Sequence, residues 1–238
     1  MKVCPKDFYT ENYFFPNTKN WVDEFGVTRE YIGPAKDWHG FSEIASYLKE
    51  SFPKVKTIFD IGCSAGSFIA RSRAIGFDSV GCDISRYAVN NCVEGARTHV
   101  RLQDITKDTP WRPSDMVVAL DLMEHIYEHD LDKAIQFIMN SAKPGGRFVF
   151  CIATARSSNE LWQHTSEEDP VPNDKTWLAV AGHVNIKKLS TWIERFEKNN
   201  MKTDYEAMFK FQMWRRQSTQ MNQVLSWDIE NIYIGTKQ

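Results

Sequence analysis

Between residues 57 and 153 the chain alternates short apolar, β-branched runs with segments of helical periodicity, and this alternation restricts the fold more than any other feature. The strand-like runs are 57–61, 79–84, 99–103, 116–120 and 147–153, with helical segments over 66–75, 88–96 and 130–142. Strands that alternate with helices pair in parallel through right-handed crossovers, because no short turn can bring a parallel strand back into the sheet. The expectation is therefore an α/β fold built on a mainly parallel sheet. Pro144, Gly145 and Gly146 are expected to stop the helix ending near Ala142 and turn the chain into the run at 147.

Two regions fall outside the alternation. Residues 1–40 carry nine of the 31 aromatic side chains, Phe8 to Trp38, and Phe41 follows directly; these are too many for a disordered tail. They read as a helical, aromatic N-terminal cap on the sheet edge, a role compatible with a flap over an active site, and residues 41–238 as the main domain. Residues 155–182 lack periodicity and hold the acidic run Glu167, Glu168, Asp169; they read as a substrate-side insertion or as solvated surface. A helix is expected over 186–198, and two final strands over 205–214 and 226–236.

At 238 residues the chain has ample length for a sizeable core. Its 29 basic and 31 acidic side chains leave a net charge of -2, so no global field draws it to nucleic acid or an anionic membrane. The five cysteines form no CxxC pair and are odd in number, which argues against a disulfide framework or a zinc ribbon. The first residues lack the apolar core of a signal peptide, and no run approaches the ~20 apolar residues of a membrane span. A soluble, cytoplasmic protein is the expectation; oligomeric state is left open.

The chemistry is carried by the ends of the strand-like runs. Asp60-Ile61-Gly62-Cys63-Ser64-Ala65-Gly66 is a glycine turn between a strand and a helix, where open α/β sheets bind ligands. Twenty-one positions beyond Gly62 stands Asp83, suitably placed to accept hydrogen bonds from ribose hydroxyls. Asp104 and Asp121 end the next two runs, so acids close four successive strands. Such an edge suits a ligand that presents amines, hydroxyls and positive charge. Each Asp also has a plain alternative as a turn or helix-capping residue.

In combination these segments resemble the class I S-adenosylmethionine-dependent methyltransferases, most closely their small-molecule branch. Asp60 to Gly66 looks like the family's first motif, Asp83 its ribose acid, Gln103-Asp104-Ile105 its adenine turn, and Asp121-Leu122-Met123-Glu124-His125 its motif after strand four. Lys143-Pro144-Gly145-Gly146 resembles the turn before strand five, and Gly182-His183-Val184-Asn185 another family element. Ser64 departs from the pattern, since many members carry glycine there. The resemblance implies a Rossmann-like three-layer sandwich with a seven-stranded, mainly parallel sheet, its last strand antiparallel and inserted beside strand five. It further implies S-adenosyl-L-methionine as cofactor and S-adenosyl-L-homocysteine as product. Gly62, Cys63 and Gly66 would then line the methionine moiety, Asp60 orient its ammonium and Asp83 hold the ribose. Ile84 and Ile105 would pack on the adenine, Asp104 accept from its amine, and Asp121 and Leu122 sit below the sulfonium.

Methyl transfer from a sulfonium is an in-line displacement that needs alignment first, and a base only where the nucleophile must lose a proton. His125 and His183 are the candidate bases, with hydrogen-bonded core histidines as the alternative reading. Glu124, His125 and a distant carboxylate could build a metal site, but no metal-ligand spacing supports it, so no metal ligand is assigned and the use of a metal is left open. Tyr13, Tyr31, Trp38, His39 and Trp162 are candidates for the acceptor pocket or for plain packing. A nicotinamide dehydrogenase would need glycine in place of Ser64. A nucleic-acid or protein methyltransferase of the same fold and a non-catalytic scaffold subunit stand as alternatives to a small or medium organic acceptor methylated at oxygen or nitrogen. Trp214-Arg215-Arg216 could touch phosphate, but reads first as surface.

Overall fold

The computed structural model describes residues 9–14, 20–22, 28–30, 40–155, 162–163, 182–218 and 231–238, with backbone alone at 12, 20–22, 28–30 and 162–163. Near the N-terminus these give a short helix α1 (Glu11–Phe14) and an antiparallel pair, β1 (Asn20–Val22) with β2 (Thr28–Glu30). The expected helical cap is thus one helical turn and one small ladder among the described residues. A longer helix, α2 (Gly40–Ser51), leads into the sheet.

The central sheet has seven strands. In spatial order they are β10 (Met201–Thr203), β11 (Ile232–Lys237), β7 (Ala142–Cys151), β6 (Ser114–Leu120), β3 (Thr57–Ile61), β4 (Asp78–Asp83) and β5 (Val100–Leu102). From β5 to β7 every pairing is parallel, while β11 runs antiparallel to both β7 and β10. The last strand is therefore inserted beside the fifth strand of the parallel set, as the resemblance implies.

Strand side chains alternate between faces, and the sheet divides its core accordingly. Phe59, Ile61, Val117, Phe148 and Phe150 meet Ile135 and Ile138 of α5 (Leu131–Ser141) and Trp192 and Phe196 of α6 (Leu189–Lys198). On the opposite face Ile58, Met116, Val118 and Val149 meet Ile44 and Leu48 of α2, Phe68 of α3 (Ser67–Ala74) and Phe211 of α7 (Tyr205–Gln217). Helices thus cover both faces, and the strands between them are apolar nearly throughout, as burial on two sides requires. The remaining elements are α4 (Arg86–Asn90) and a second small ladder, β8 (Trp162–Gln163) with β9 (Asn185–Ile186).

Several segments depart from expectation, each for a local reason. Residues 205–214 form a helix instead of a strand. Asp204 Oδ1 accepts from the Ala207 N–H (3.0 Å), which caps α7, and Ala207, Met208 and Phe211 pack inward. Tyr205 and Phe209 stay exposed, and these outward aromatics imitate strand alternation. The strand is the preceding run of three, in which buried Met201 and Thr203 flank exposed Lys202. Residues 88–96 hold only the end of the single-turn α4, because Ser85 starts that helix early by accepting from the Ala88 N–H (3.1 Å). At 186–198, Ile186 belongs to β9 and the helix begins at Leu189. Pro144 to Gly146 lie inside β7, where the pairing to β6 shifts register between Ser114 and Met116, instead of ahead of it. Most of the 155–182 insertion and the start of the expected 226–236 strand lie outside the described residues.

Cys63, Cys82, Cys92 and Cys151 are free and buried, small apolar fillers as their surroundings suggest. Among the described residues no helix is long and apolar enough to cross a membrane.

Candidate active site

The carboxyl ends of β3, β4 and β6 frame one crevice. Gly62 and Cys63 donate their N–H groups to the Cys82 carbonyl (2.9 and 3.1 Å), which ties the glycine turn to the neighbouring strand. A Cβ at Gly62 would stand 2.9 Å from Leu122 Cδ1, so the segment after β6 lies directly against the turn. Gly81 is required for a reason absent from any motif. A Cβ there would lie 2.4 Å from the Asp60 carbonyl oxygen, and only glycine lets β4 come this close.

Asp83 holds this corner together. Its Oδ2 accepts from the Ser64 N–H and its Oδ1 from the Ser85 N–H, both at 2.8 Å. Burial pushes its carboxyl up, and the hydrogen bonds from Ser85, Ser64 and Ile84 offset this only in part. Ser64 has a φ of 52°, in the left-handed region that favours glycine.

Asp60 is 3% exposed. Burial and the neighbouring Asp83 hold its carboxyl well above the ordinary range, and no described residue donates a hydrogen bond to it or pairs with it. Two adjacent acids with no cation between them are costly, and a ligand bringing positive charge and donors would relieve that cost. Cys63 faces the same charges, so its thiol is pushed up by burial, then by Asp60 and Asp83. It offers the turn its backbone, not a thiolate.

Asp104 follows β5. Its Oδ1 accepts from the Thr106 N–H (3.1 Å) and hydroxyl (2.7 Å), and its Oδ2 from Lys107 Nζ (3.0 Å). Burial raises its carboxyl, but Thr106 and Lys107 together outweigh that and hold it low. Any contact with a ligand must share this carboxylate with its own turn. Ile105 is buried in the core beside Phe59 and Ile61, and Ile84 is half-buried at the end of β4.

Beyond β6, Asp121 is exposed with a φ of 55°, and its N–H donates to the Cys151 carbonyl (2.9 Å). The chain then makes a 3-10 turn, Met123–His125. Glu124 is fully buried; its Oε1 accepts from the Ala153 N–H (3.0 Å), while Oε2 is buried without a hydrogen-bond partner. Burial, then the charge of Asp121, holds its carboxyl well above the ordinary range. His125 is half-buried, with Nδ1 3.0 Å from the Gly182 carbonyl and 3.0 Å from the Tyr9 hydroxyl. Burial lowers its imidazole to about 4, against the raising effect of Gly182. His183 is buried behind it, with ring centroids 4.8 Å apart, and burial followed by His125 holds its imidazole well below the ordinary range.

The N-terminal turn closes over this crevice. Tyr9 reaches His125 with its hydroxyl, and its carbonyl accepts from Ser85 Oγ (2.6 Å), so one residue bridges the ends of β6 and β4. Tyr13 packs edge-on against Tyr9 (4.9 Å), and Phe14 stacks on Tyr87 (5.8 Å).

A family model described as a methyltransferase domain matches residues 37–206. The chain belongs to the methyltransferase domain family. Among solved structures, the sugar N-methyltransferase KedS8 from Streptoalloteichus is 12% identical, with a TM-score of 0.58 over 91% of this chain and 98% of that one. Magnesium protoporphyrin IX methyltransferase (ChlM) from Synechocystis is 16% identical, with a TM-score of 0.51 over 84% and 78%. The chain spans about half the length of the first solved structures it matches; for Streptomyces venezuelae DesVI the match covers 50% of this chain and 51% of that one, at 17% identity and a TM-score of 0.43. At such identities the likeness is one of fold. A search of curated protein sequences finds no match.

In this methyltransferase domain, Asp60, Gly62, Cys63, Asp83, Ile84, Asp121 and Leu122 lie at the neighbouring ends of β3, β4 and β6; Gly66 opens α3 against Ala96 and Val100, and Asp104 and Ile105 follow β5, Ile105 in the core. His125 and His183, 58 positions apart, are brought into ring contact. Sequence reasoning missed Tyr9 and Gly81, and grouped Glu124 and His125 with a distant carboxylate where the structure supplies His183. Tyr13 is buried; the side chains of Tyr31, Trp38, His39 and Trp162 lie outside the described residues. Trp214, weighed as a phosphate contact, instead packs on Tyr47 with centroids 4.6 Å apart.

Proposed function

We propose that this methyltransferase moves a methyl group from S-adenosylmethionine to an oxygen or nitrogen of a small or medium organic acceptor. The observation that carries this reading is the buried carboxylate of Asp60, left without a donor beside Asp83 at the glycine turn. An α-ammonium meets the need of Asp60, and ribose hydroxyls suit the lone pairs of Asp83 left over by its backbone donors. When bound, the cofactor supplies a methyl group activated on a sulfonium, with S-adenosylhomocysteine as product.

The chain's part is alignment. Gly62, Cys63 and Gly66 give the methionine moiety a backbone lining, Ile84 and Ile105 give the adenine apolar faces, and Asp104 offers an acceptor to its amine. Asp121 and Leu122 form the floor on which the sulfonium rests. Such positioning supplies roughly 7 to 11 kcal/mol of barrier lowering at best. His125, half-buried at the mouth, is the group within reach of an acceptor, and His183 sets its orientation from behind. Both imidazoles are neutral at pH 7, and their low basicity suits a nucleophile that parts with its proton readily. Tyr9, from the described part of the expected cap, lies across the crevice.

Calorimetric titration with S-adenosylmethionine and, separately, with NAD+ tests this. Binding of the first alone, followed by acceptor-dependent release of S-adenosylhomocysteine in a screen of small alcohols, phenols and amines, is the expected result. NAD+ binding without S-adenosylmethionine binding overturns it.

A further inference from the structure

Residues from distant parts of the chain converge just past the end of β6. Glu124 and His125 lie on the 3-10 turn, and His183 comes from the approach to β9. One potential ligand atom from each lies within 4.8 Å of the others, with Glu124 Oε1 4.0 Å from His183 Nε2. We propose that Glu124, His125 and His183 form a binding site for a divalent first-row transition metal ion.

The donor set selects the class of cation. Two imidazoles and one carboxylate suit zinc, manganese, cobalt or iron, whereas magnesium and calcium prefer all-oxygen surroundings. The Glu124 and His125 side chains are already held by hydrogen bonds, as metal ligands require. Ala153 N–H fixes Glu124 Oε1, and the Gly182 carbonyl, which can only accept, fixes His125 with its proton on Nδ1 and its lone pair on Nε2. Val184 N–H donates to the Glu124 carbonyl (2.8 Å), which anchors the His183 segment to the turn. Glu124 Oε2, buried without a partner, is a cost that a cation removes. Zinc bonds of about 2.1 Å place tetrahedral donors about 3.4 Å apart. The cluster must therefore contract by about an ångström on binding, through small movements of the Glu124 and His183 side chains as well as of half-buried His125. The site stands on this geometry; its bearing on the reaction rests on the methyl-transfer reading, and with a metal bound an acceptor oxygen would complete the coordination while His125 Nε2 serves as a ligand and no longer as a base.

The test uses the full chain, untagged and stripped with a chelator, titrated calorimetrically with ZnSO4, MnCl2 and CoCl2. At least one of the three should bind saturably with one equivalent. Glu124→Gln, His183→Gln and His125→Asn should each weaken that binding at least tenfold, with circular dichroism confirming which variants fold. His125→Asn, at a half-buried position, serves where a fully buried change disrupts folding. Absence of saturable binding for all three metals overturns the site, as does binding that the folded variants leave unchanged. S-Adenosylmethionine titrated into the same samples separates the two readings: cofactor binding without metal binding removes only the metal site, and metal binding without cofactor binding removes only the methyl-transfer reading.

Discussion

The hydroxyl of Tyr9 stands 3.0 Å from Nδ1 of His125, 116 positions further along the chain. The same nitrogen lies 3.0 Å from the Gly182 carbonyl, which can only accept, so an Nδ1 proton directed to Gly182 leaves Tyr9 an acceptor as well. Tyr9 and Gly182 therefore compete for one proton. Because the Tyr9 carbonyl also accepts from Ser85, the N-terminal turn straddles cofactor and acceptor sides of the crevice. Tyr9→Phe keeps the ring packing against Tyr13 and removes only the hydroxyl. It should leave cofactor affinity within about twofold while changing turnover or the acceptor KM severalfold, the size expected for one neutral hydrogen bond. Steady-state kinetics identical to the parent would reduce Tyr9 to packing.

Asp60 carries opposite consequences with and without ligand. Its folded-state carboxyl is raised, so in the empty protein the folded form binds more protons than the unfolded one once pH exceeds about 3.8. Apo stability must then fall as pH rises from that point through the folded value. Asp60→Asn removes this slope and should stabilise the apo protein by about 1 kcal/mol or more at pH 7, while weakening S-adenosylmethionine binding at least tenfold. Chemical denaturation at several pH values, with and without cofactor, measures both. A variant that is destabilised in both states would show that Asp60 has a structural partner.

The fold was legible where a local pattern maps onto one element. Thr57–Ile61 is an apolar run interrupted by Asp60 and is an interior strand of the sheet; Asp83 and Asp121 mark strand ends because acids are tolerated there, while the buried Asp60 inside the run marks the site. It failed where a short run competes with its neighbour, as Met201–Thr203 does with the aromatic helix that follows. The histidine cluster was half legible. Glu124 and His125 are adjacent in sequence, but His183 reaches them only because Val184 pairs with the Glu124 carbonyl, a tertiary contact without a sequence signature. Gly81 was hidden similarly, since its need for glycine comes from the Asp60 backbone on another strand.

Ser64 pays conformational strain that its function does not need. Its φ of 52° suits glycine, while its contribution to the site, the bond to Asp83 Oδ2, is made by backbone N–H. Ser64→Gly keeps that donor and should be neutral to stabilising by up to about 1 kcal/mol, the left-handed relief being partly cancelled by greater freedom in the unfolded chain. Ser64→Val, β-branched in the same region, should destabilise by about 1–2 kcal/mol and weaken cofactor binding through the displaced turn. Thermal unfolding of the two variants gives the comparison; equal stabilities would mean that the turn relaxes out of the left-handed region at no cost.

Asp115 locks the far end of the sheet, away from the crevice. Its Oδ2 accepts from the Lys56 and Thr57 N–H groups, both at 2.9 Å, and its Oδ1 from Lys143 Nζ at 2.7 Å, so the starts of β3, β6 and β7 meet on one carboxylate. Burial pushes its carboxyl up, but the hydrogen bond from Lys143 and those from Lys56 and Thr57 prevail and lower it to about 2. A depressed folded-state value stabilises above the unfolded value near 3.8, and the contribution disappears as pH falls through the folded value near 2. Allowing for the exposure of Lys143, that contribution is about 1–2 kcal/mol at pH 7. Asp115→Asn should lose this amount at neutral pH in urea denaturation, and the gap from the parent should close between about pH 4 and 2. A gap that persists unchanged at pH 2 would assign the loss to the amide's altered geometry and not to the charge.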